Sequence, residues 1–252
     1  MTASLRLPPG YRLLDYDELD STNDEAKRLG ADGAPAGCVV WAKSQPNGRG
    51  RRGRRWDGPP GNLYMSLLLR PAHSPAAAAQ LGFVAALAVG EACAPFLPEA
   101  TKPRYKWPND VLVSGRKVSG ILLESSALPD GMLDWLVVGI GINVASHPAG
   151  TEFPATSLAA SGGTATVTQL LESTVARYHH WMGRWEAAGF EAIREAWLSN
   201  AIGVGGKVTV RLERQVLEGR FADLDRDGAL LLETDEGNRR VLAGDVFPVA
   251  AS

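Results

Sequence analysis

The sequence contains little cysteine and histidine, and this scarcity excludes several kinds of chemistry. It has two cysteines, Cys38 and Cys93, which are far apart and lack the CxxC spacing of zinc or redox sites. We therefore expect no disulfide framework, and we expect both thiols to be buried as small hydrophobic side chains. The four histidines form no HExxH pattern and no other ligand spacing. Neither a zinc site nor a Ser-His-Asp hydrolase is expected.

The sequence also lacks an excess of basic charge. Its formal net charge is −2, whereas a protein that binds nucleic acid over a broad face usually carries a basic excess. Positive charge is therefore expected to act locally, at one segment of the chain. This weakens an interpretation as a nucleic-acid-binding protein before any motif is considered.

No long apolar run is uninterrupted. The most apolar region, residues 76–97, contains Gln80, Glu91 and Pro95, and a membrane span needs roughly 20 nearly continuous apolar residues. A buried Ala-rich helix explains this region better than a membrane helix does. The N-terminus has no apolar segment of signal-peptide length. We therefore expect a cytoplasmic protein that does not bind membranes.

The predicted elements indicate an α+β fold. Strands rich in Val, Ile and Leu accompany a helix predicted over residues 21–30, with Thr22 at its capping position and Gly30 at its C-terminal end. A second helical pattern covers residues 166–199 and breaks near Gly189. Its apolar residues fall near one stripe, which is typical of core packing.

The composition changes at residues 202–206, where "IGVGG" precedes several short strands. The sequences "DRDG" and "DEGN" provide turns between these strands. Fewer than 50 residues of antiparallel strands are typical of a small barrel-like unit. We therefore predict a catalytic domain over residues 1–203 and a small β-domain over residues 204–252.

The stretch "NGRGRRGRRW", residues 47–56, joins two predicted strands and contains five arginines and three glycines. Glycine lets the backbone approach a ligand closely, and arginine offers a planar fork for carboxylate or phosphate oxygens. This composition fits the binding of a small anion, an RNA-binding segment of the RGG type, or a solvated linker. The loop alone does not decide among these three.

Four further stretches place polar residues beside apolar strands. In "KWPND", Asp110 is suited to help hold Mg²⁺ bound to substrate phosphates, although Pro-Asn-Asp is also good turn chemistry. In "RKVSGILLE", Lys117 opens a strand whose internal Gly120 favours close approach of a ligand; a lysine at such a position is otherwise usually solvated. "GIGIN", residues 139–143, fits either the edge of a pocket or a simple strand end. "DSTND", residues 20–24, fits either a segment that faces a ligand or a helix cap.

In this order, the stretches resemble the catalytic domain of biotin protein ligases. The resemblance rests on "STN", the glycine–arginine loop, "KWPND", "KVSGILLE", "GIGIN" and "PATSL", and it spans nearly the whole chain. It implies a mixed-sheet catalytic domain of the biotin/lipoate ligase type, followed by a small SH3-like β-barrel domain. Some members carry a DNA-binding helix-turn-helix domain first. Because only about twenty residues precede "STN", we predict a form without that domain and without a DNA-binding role.

The resemblance implies a two-step reaction. Biotin's carboxylate attacks the α-phosphate of ATP with Mg²⁺, giving biotinyl-5′-AMP and pyrophosphate. A lysine of a biotin carboxyl carrier protein or domain, which belongs to a biotin-dependent carboxylase, then attacks the mixed anhydride. Adenylation needs positioned cations and no side-chain nucleophile, so the lack of a Ser-His or Cys-His pair agrees with this chemistry. The oligomeric state varies within the family, and a homodimer stays open as one alternative.

The resemblance also assigns site residues at the matching positions. Polar partners for the ureido ring of biotin are expected in the Ser-Thr-Asn stretch and at Gln45, and the catalytic residues Arg51 and Lys117 are expected near the carboxylate and the phosphate. The biotin set is Ser21, Thr22, Asn23, Gln45, Arg49, Gly50, Arg51 and Lys117. The nucleotide set is Arg54, Trp56 (near the adenine), Asn109 and Asn143, with Asp110 as the Mg²⁺ ligand.

Three rival functions remain to be weighed against this one. A lipoate–protein ligase would share the fold and the acyl-adenylate chemistry, but the glycine-rich "GGG" stretch of that family is absent. A site built for a ureido ring should also reject lipoate strongly, because its buried polar groups would stay unpaired. A non-enzymatic RNA-binding protein is disfavoured by the acidic charge balance, and a transcriptional regulator by the short N-terminal segment.

Overall fold

A computed structural model describes residues 5–56 and 58–249 of the chain, so the outermost residues of both predicted domains lie outside the description. Its larger sheet has seven strands in the order β1-β2-β3-β7-β6-β5-β4. These are β1 (Arg12–Glu18), β2 (Cys38–Ser44), β3 (Leu63–Leu69), β4 (Arg104–Lys106), β5 (Asp110–Val113), β6 (Arg116–Ala127) and β7 (Leu133–Ile142). The β1–β2 pair is parallel and the other pairs are antiparallel. The predicted mixed sheet is therefore confirmed.

Five α-helices accompany the two sheets within the described residues. They are α1 (Thr22–Ala31), α2 (Pro75–Ala79), α3 (Leu81–Cys93), α4 (Val167–Ala188) and α5 (Phe190–Leu198). α4 begins at a capping box formed by Thr166 and Gln169 and ends at Gly189, whose φ of 72° permits the turn into α5. The predicted helical stripe is buried along α4, and the predicted break at Gly189 is confirmed.

The most apolar helix lies in the core. One helical segment among the described residues, Pro75–Phe96, is long and apolar enough to cross a membrane by composition, and 72% of its apolar window is buried inside the protein. Within it, every residue of α3 except Glu91 is buried, because α3 lies between the sheet and α4. Cys93 at its end is buried and free, and burial raises the pKa of its thiol to about 12. Cys38 is likewise buried and free, as predicted.

The opposite face of the sheet is covered by α1. The residues alternate along β2, so that Val39 packs toward α3 and α4 while Val40 packs under α1. Ala26 of α1 is completely buried in this smaller cluster. α1 covers only part of its face of the sheet, because it contacts β2, β3, β6 and β7 but not β4 or β5 to a comparable extent. The uncovered part is where a ligand can reach the sheet.

Both ends of α1 differ from the prediction. The N-cap is Ser21, whose side chain accepts a hydrogen bond from the backbone N–H of Asp24, whereas Thr22 was predicted. Thr22 cannot serve this role because its hydroxyl is turned to the side chain of Gln45. Gly30 does not end the helix, which continues to Ala31. The absence of a side chain at Gly30 instead makes room for the Trp135 indole, because a Cβ on Gly30 would lie 2.9 Å from it.

The C-terminal sheet is antiparallel, with the strand order β11-β10-β9-β8-β12. Its strands are β8 (Lys207–Arg211), β9 (Val216–Leu224), β10 (Leu230–Thr234), β11 (Gly237–Val241) and β12 (Asp245–Pro248). This arrangement fits an SH3-like domain, but the predicted closure into a barrel is wrong: within residues 204–249 no pairing joins β11 to β12. β12 pairs with β8, and its residues Asp245 and Phe247 line the cavity described below. The boundary between residues 203 and 204 stays a prediction.

The turn between β9 and β10 is also fixed to the catalytic domain. The indole Nε1 of Trp107 donates to the backbone oxygen of Gly228 at 3.0 Å, and Gln80 Nε2 donates to the backbone oxygen of Arg226 at 3.1 Å. Gly228 has a φ of 84°, and a Cβ there would approach the ring of Phe83 to 2.6 Å. These contacts hold the small sheet in an orientation that brings β12 to the candidate site.

Candidate functional site

A cavity of about 360 Å³ opens on the part of the sheet that α1 leaves uncovered. Its walls come from the start of α1, the arginine loop, β6, β7, the segment after β7, and β12. All predicted site residues line it: Ser21, Thr22, Asn23, Gln45, Arg49, Gly50, Arg51, Arg54, Trp56, Asn109, Asp110, Lys117 and Asn143. The structure thus brings five separate sequence stretches together, although the role of each residue stays a prediction.

One end of the cavity is a buried network of uncharged polar groups. The side-chain oxygen Oε1 of Gln45 accepts from the backbone N–H of Thr22 at 2.9 Å and lies 3.1 Å from the Thr22 hydroxyl. Ser66 on β3 places its hydroxyl 2.8 Å from Thr22 Oγ1 and 2.6 Å from Asn23 Oδ1. Ser21, Thr22, Asn23 and Gln45 are all buried. This end is suited to a neutral ligand that carries both donors and acceptors.

Three glycines form the floor of the cavity. Gly120 of β6 pairs with Gly141 of β7, and a Cβ on Gly141 would lie 2.6 Å from the Trp56 indole. A Cβ on Gly139 would overlap the side chain of Asn23. Because all three point toward the cavity, side chains at these positions would fill it. Gly120 therefore lies at the cavity, beneath the side chains of Trp56 and Lys117, and a ligand near it stays a prediction.

The arginine loop forms a short hairpin over the cavity. The N–H of Gly50 donates to the backbone oxygen of Arg54 at 2.7 Å, and the N–H of Trp56 donates to that of Gly48 at 2.9 Å. Arg52 at the tip has a positive φ of 56°. The Trp56 ring then lies on the glycine floor, with Lys117 Nζ 5.4 Å from its centre.

The guanidinium groups of the loop contact different parts of the protein. Arg49 makes two hydrogen bonds with Asp24 of α1, at 2.8 and 2.6 Å. Arg54 makes two with Asp245 of β12, at 2.8 and 2.7 Å. Arg51 points inward, where it donates to Asn109 Oδ1 at 3.3 Å and to the backbone oxygen of Gly244 at 3.2 Å. Burial lowers the pKa of Arg51, which indicates that this cation is the most desolvated of the three.

The two predicted asparagines have structural partners as well as exposure to the cavity. Asn109 Nδ2 donates to the backbone oxygen of Ile121 at 2.6 Å, which ties "KWPND" to β6. Asn143 Nδ2 donates to the backbone oxygen of Thr156 at 3.0 Å, which ties the end of β7 to "PATSL". The sequence stretches that looked independent are therefore cross-linked around the cavity.

At the other end of the cavity, Asp110 is held between two lysines. Lys106 Nζ lies 2.8 Å from one carboxylate oxygen and Lys117 Nζ lies 2.5 Å from the other. Burial on its own would raise the pKa of Asp110, but the two ammonium groups outweigh it and the pKa is lowered. The group of three carries a net charge of +1, so this end of the cavity favours an anionic ligand.

Asp110→Asn is expected to lower the free energy of unfolding at pH 7 by about 3 kcal/mol, because the buried Lys106 and the partly buried Lys117 would lose their shared counter-ion. The folded-state pKa of Asp110 lies below its unfolded value, so its contribution is complete above the ordinary carboxyl pKa of about 4 and is lost as the pH falls through the folded value. The difference between wild type and Asp110→Asn should therefore be constant from about pH 7 to pH 5 and shrink below about pH 4. Urea denaturation across this range measures it.

The matched control for this experiment is Asp32→Asn. Asp32 also pairs with a basic residue, Arg28, but its side chain is 61% exposed, so its replacement should change stability by less than about 0.5 kcal/mol. An Asp110→Asn effect that stays constant down to pH 3 would contradict the proposed ionisation of this carboxyl group.

The contacts of Asp110 bear on its predicted role as a Mg²⁺ ligand. Both carboxylate oxygens already face an ammonium group, so direct coordination requires one lysine to move away. Within the described part of the chain, no group of three or more His, Cys, Asp or Glu side chains is arranged to hold a metal ion. The donor set therefore fits a metal that arrives with phosphate oxygens better than one resident on the protein. The role of Asp110 stays a prediction.

Sequence reasoning missed several residues that line the cavity. Lys106 belongs to the "KWPND" stretch and was not assigned a role, because its burial beside Asp110 becomes visible only in the structure. Its Nζ lies 4.8 Å from the centre of the Phe153 ring. Phe247 and Asp245 come from β12. No local signal identifies these two, because they reach the cavity only through the docking of the second sheet.

Comparisons with known proteins agree with the fold and show the family. Residues 17–143 match the model of the Biotin/lipoate A/B protein ligase family, and residues 204–247 match the model of the Biotin protein ligase C terminal domain. A Biotin--[acetyl-CoA-carboxylase] ligase of Paracoccus denitrificans is 40% identical over 90% of this chain and 97% of its own length. The Bifunctional ligase/repressor BirA of Bacillus subtilis is 35% identical over 94% of this chain and 74% of its own length.

A solved structure supports the same conclusion. The biotin protein ligase of Aquifex aeolicus in complex with biotin and ATP superposes with a TM-score of 0.79 at 30% identity, covering 95% of this chain and 99% of that one. The superposition covers both sheets. The cavity has a neutral polar end and a cationic end. The chain therefore belongs to the biotin protein ligase family.

Proposed function

We propose that this protein activates biotin with ATP, forming biotinyl-5′-AMP and pyrophosphate, and then transfers biotin to a lysine of a biotin carboxyl carrier protein. The observation that carries the proposal is the two-ended cavity, in which a neutral polar network lies opposite desolvated cations. Relatives that align over nearly the whole chain are biotin–[acetyl-CoA-carboxylase] ligases. The reaction is that of an ATP-dependent, AMP-forming ligase.

The polar end suits the ureido ring of biotin. This ring has two N–H donors and a carbonyl acceptor, and we assign Ser21, Thr22, Asn23 and Gln45 as its partners. These side chains are buried and already oriented by one another, so little ordering is needed when the ligand binds. The apolar remainder of biotin would extend along the glycine floor.

The cationic end suits the reacting carboxylate and the α-phosphate. Adenylation brings two anions together, so positioned cations lower the barrier by reducing repulsion and by stabilising the charge that develops. We assign this role to Lys117 and Arg51, with Arg49 and Gly50 completing the biotin set at the loop. No proton transfer to a histidine is required, in agreement with the cavity's composition.

The nucleotide would occupy the side of the cavity nearest the arginine loop and β12. We assign Arg54, Trp56, Asn109 and Asn143 to it, because these residues line the cavity beside the cationic end. Mg²⁺ would enter with ATP as part of the substrate and would screen its phosphates. With the loop closed over the adenylate, water would be excluded from the mixed anhydride.

Biotin-dependent exchange of pyrophosphate into ATP tests the first step, and labelling of an apo carrier domain tests the second. We expect both with biotin and MgATP and neither with lipoate, because lipoate leaves the buried polar network unpaired. Purified protein that catalyses no biotin-dependent exchange would refute the proposal. Exchange with lipoate instead would identify a lipoate–protein ligase.

Arg51→Ala is expected to accelerate release of biotinyl-AMP from the enzyme by about tenfold, because one charge-assisted hydrogen bond to the intermediate is lost. The rate is measured by chasing preformed labelled intermediate with unlabelled biotin. Arg28→Ala is the matched control, since Arg28 pairs with Glu25 and Asp32 on the outer side of α1. Equal release rates for wild type and Arg51→Ala would exclude this role of Arg51.

The partner is a biotin carboxyl carrier protein or domain of a biotin-dependent carboxylase, and its identity requires a binding experiment. We expect neither DNA nor membrane as a partner, and a homodimer stays open. The cytoplasm stays the predicted compartment, since carrier domains and ATP meet there. The division into a catalytic domain of residues 1–203 and a β-domain of residues 204–252 is likewise our proposal.

A further inference from the structure

Glu124 of β6 lies just outside the cavity and holds two residues of α1. Its Oε2 accepts a hydrogen bond from Asn23 Nδ2 at 2.8 Å, and its Oε1 accepts one from Lys27 Nζ at 2.8 Å. The Glu124 side chain is 26% exposed, and neither Glu124 nor Lys27 is among the residues that line the cavity. No role in the proposed reaction has yet been assigned to this carboxylate.

The opposite end of the Asn23 amide meets the hydroxyl of Ser66, 2.6 Å from Oδ1. A carboxylate only accepts hydrogen bonds, so Glu124 must face the Asn23 nitrogen, and the amide oxygen must then face Ser66. Ser66 is completely buried, so water cannot replace it. Because the Ser66 hydroxyl can donate or accept, it is compatible with both orientations of the amide, and Glu124 is the partner that selects one of them.

We propose that Glu124 is a positioning residue for biotin recognition, which acts by fixing the order in which Asn23 presents its remaining N–H and its remaining lone pair to the ureido group. This inference rests on the proposed function. Asn23 lies directly over Gly139, and its side chain is held there by Glu124 and Ser66. The amide flip is thus the main freedom left to it, and Glu124 removes that freedom before the ligand binds.

Lys27 makes the orientation sensitive to the charge of Glu124. In Glu124→Gln, which keeps the shape of the side chain, the ammonium group of Lys27 would take the single amide oxygen. The new NH₂ group would then face Asn23 Nδ2, and two donors cannot pair. Asn23 would have to flip, which reverses its presentation to biotin. Adding Lys27→Met frees the glutamine oxygen to accept from Asn23 again, because the other cation nearby, Arg49, lies 3.8 Å from Oε1 and is held by Asp24.

The test compares Glu124→Gln, Lys27→Met and the double variant in biotin-dependent ATP–pyrophosphate exchange. Glu124→Gln should raise the biotin KM by about tenfold while the ATP KM stays within about twofold. Lys27→Met alone should stay within about threefold of wild type, and the double variant should return to that range. A role limited to holding the fold together predicts no such rescue, because the double variant has lost one more ion pair.

Glu233→Gln is the matched control, because Glu233 pairs with Arg220 on the C-terminal sheet, and its biotin KM should not change. An unchanged biotin KM in Glu124→Gln, or a raised one that Lys27→Met does not restore, would overturn the inference. If Glu124→Gln does not fold, Glu124→Met, which removes the acceptor for Asn23 without adding a donor, takes its place and should also raise the biotin KM. Absence of exchange in the wild type would refute the proposed function itself, a result distinct from any of these.

Discussion

Replacement of Lys117 by methionine is expected to slow formation of biotinyl-AMP by about 10²- to 10³-fold. Lys117 is the one lysine that both lines the cavity beside the glycine floor and pairs with Asp110, 2.5 Å away. Its ammonium group also lies against the Trp56 ring, which excludes water and strengthens its interaction with an anion. Methionine keeps the length and apolar stem of the side chain and removes the charge. The barrier should therefore rise while the cavity keeps its shape.

The fold should tolerate this change, because Asp110 keeps its second partner, Lys106, at 2.8 Å. A single-turnover measurement of adenylate formation at saturating biotin and MgATP isolates the chemical step. Lys43→Met is the matched control, since Lys43 pairs with Asp17 far from the cavity and is 57% exposed. An unaltered single-turnover rate in Lys117→Met would show that Lys117 does not contribute to adenylation. Arg51 would then be the remaining catalytic residue of the two.

Local patterns predicted the elements that local interactions control. The helix over residues 167–188 has its own apolar stripe, its own capping box and a terminal glycine, so the sequence contains every determinant of its bounds. Such features do not depend on what packs around them.

Prediction was wrong where a distant partner competes with a local one. Thr22 has the spacing of an N-cap, but Gln45, 23 residues later, holds its hydroxyl, and Ser21 caps the helix instead. Gly30 resembles a helix terminator, but its lack of a side chain serves Trp135. In each case the residue has two possible roles, one local and one in a tertiary contact. The tertiary contact decides between them, and local sequence patterns do not reveal it.

The candidate site likewise contains residues that were predicted from the sequence and residues that were missed. Its biotin and nucleotide sets were assigned through the family resemblance, at positions within the matching sequence stretches, and the cavity brings these stretches together. Asp245 and Phe247 were missed because β12 carries ordinary strand residues that acquire a position at the cavity only when the second sheet docks through Trp107 and Gln80.

Gly139→Ala is expected to lower kcat/KM for biotin by about 100-fold. A Cβ at this position would overlap the side chain of Asn23, and the backbone of β7 cannot retreat because it pairs with β3 on one side and with β6 on the other. The Asn23 side chain would have to move away from the surface of the sheet, which would break its contacts with Ser66 and Glu124. The polar end of the cavity would then lose the geometry that we assign to ureido recognition.

The expected loss concerns biotin rather than ATP, because Gly139 lies at the polar end of the cavity, away from Lys117 and Asp110. Isothermal titration with biotin alone should show weaker binding by a similar factor, whereas the ATP KM should change by less than about threefold. Gly183→Ala in α4 is the matched control, since a Cβ there meets nothing within 4 Å, and alanine in a helix interior should stabilise the protein by about 0.5–1 kcal/mol. Wild-type affinity for biotin in Gly139→Ala would mean that the ligand does not depend on Asn23, and the polar end of the cavity would then need a different occupant.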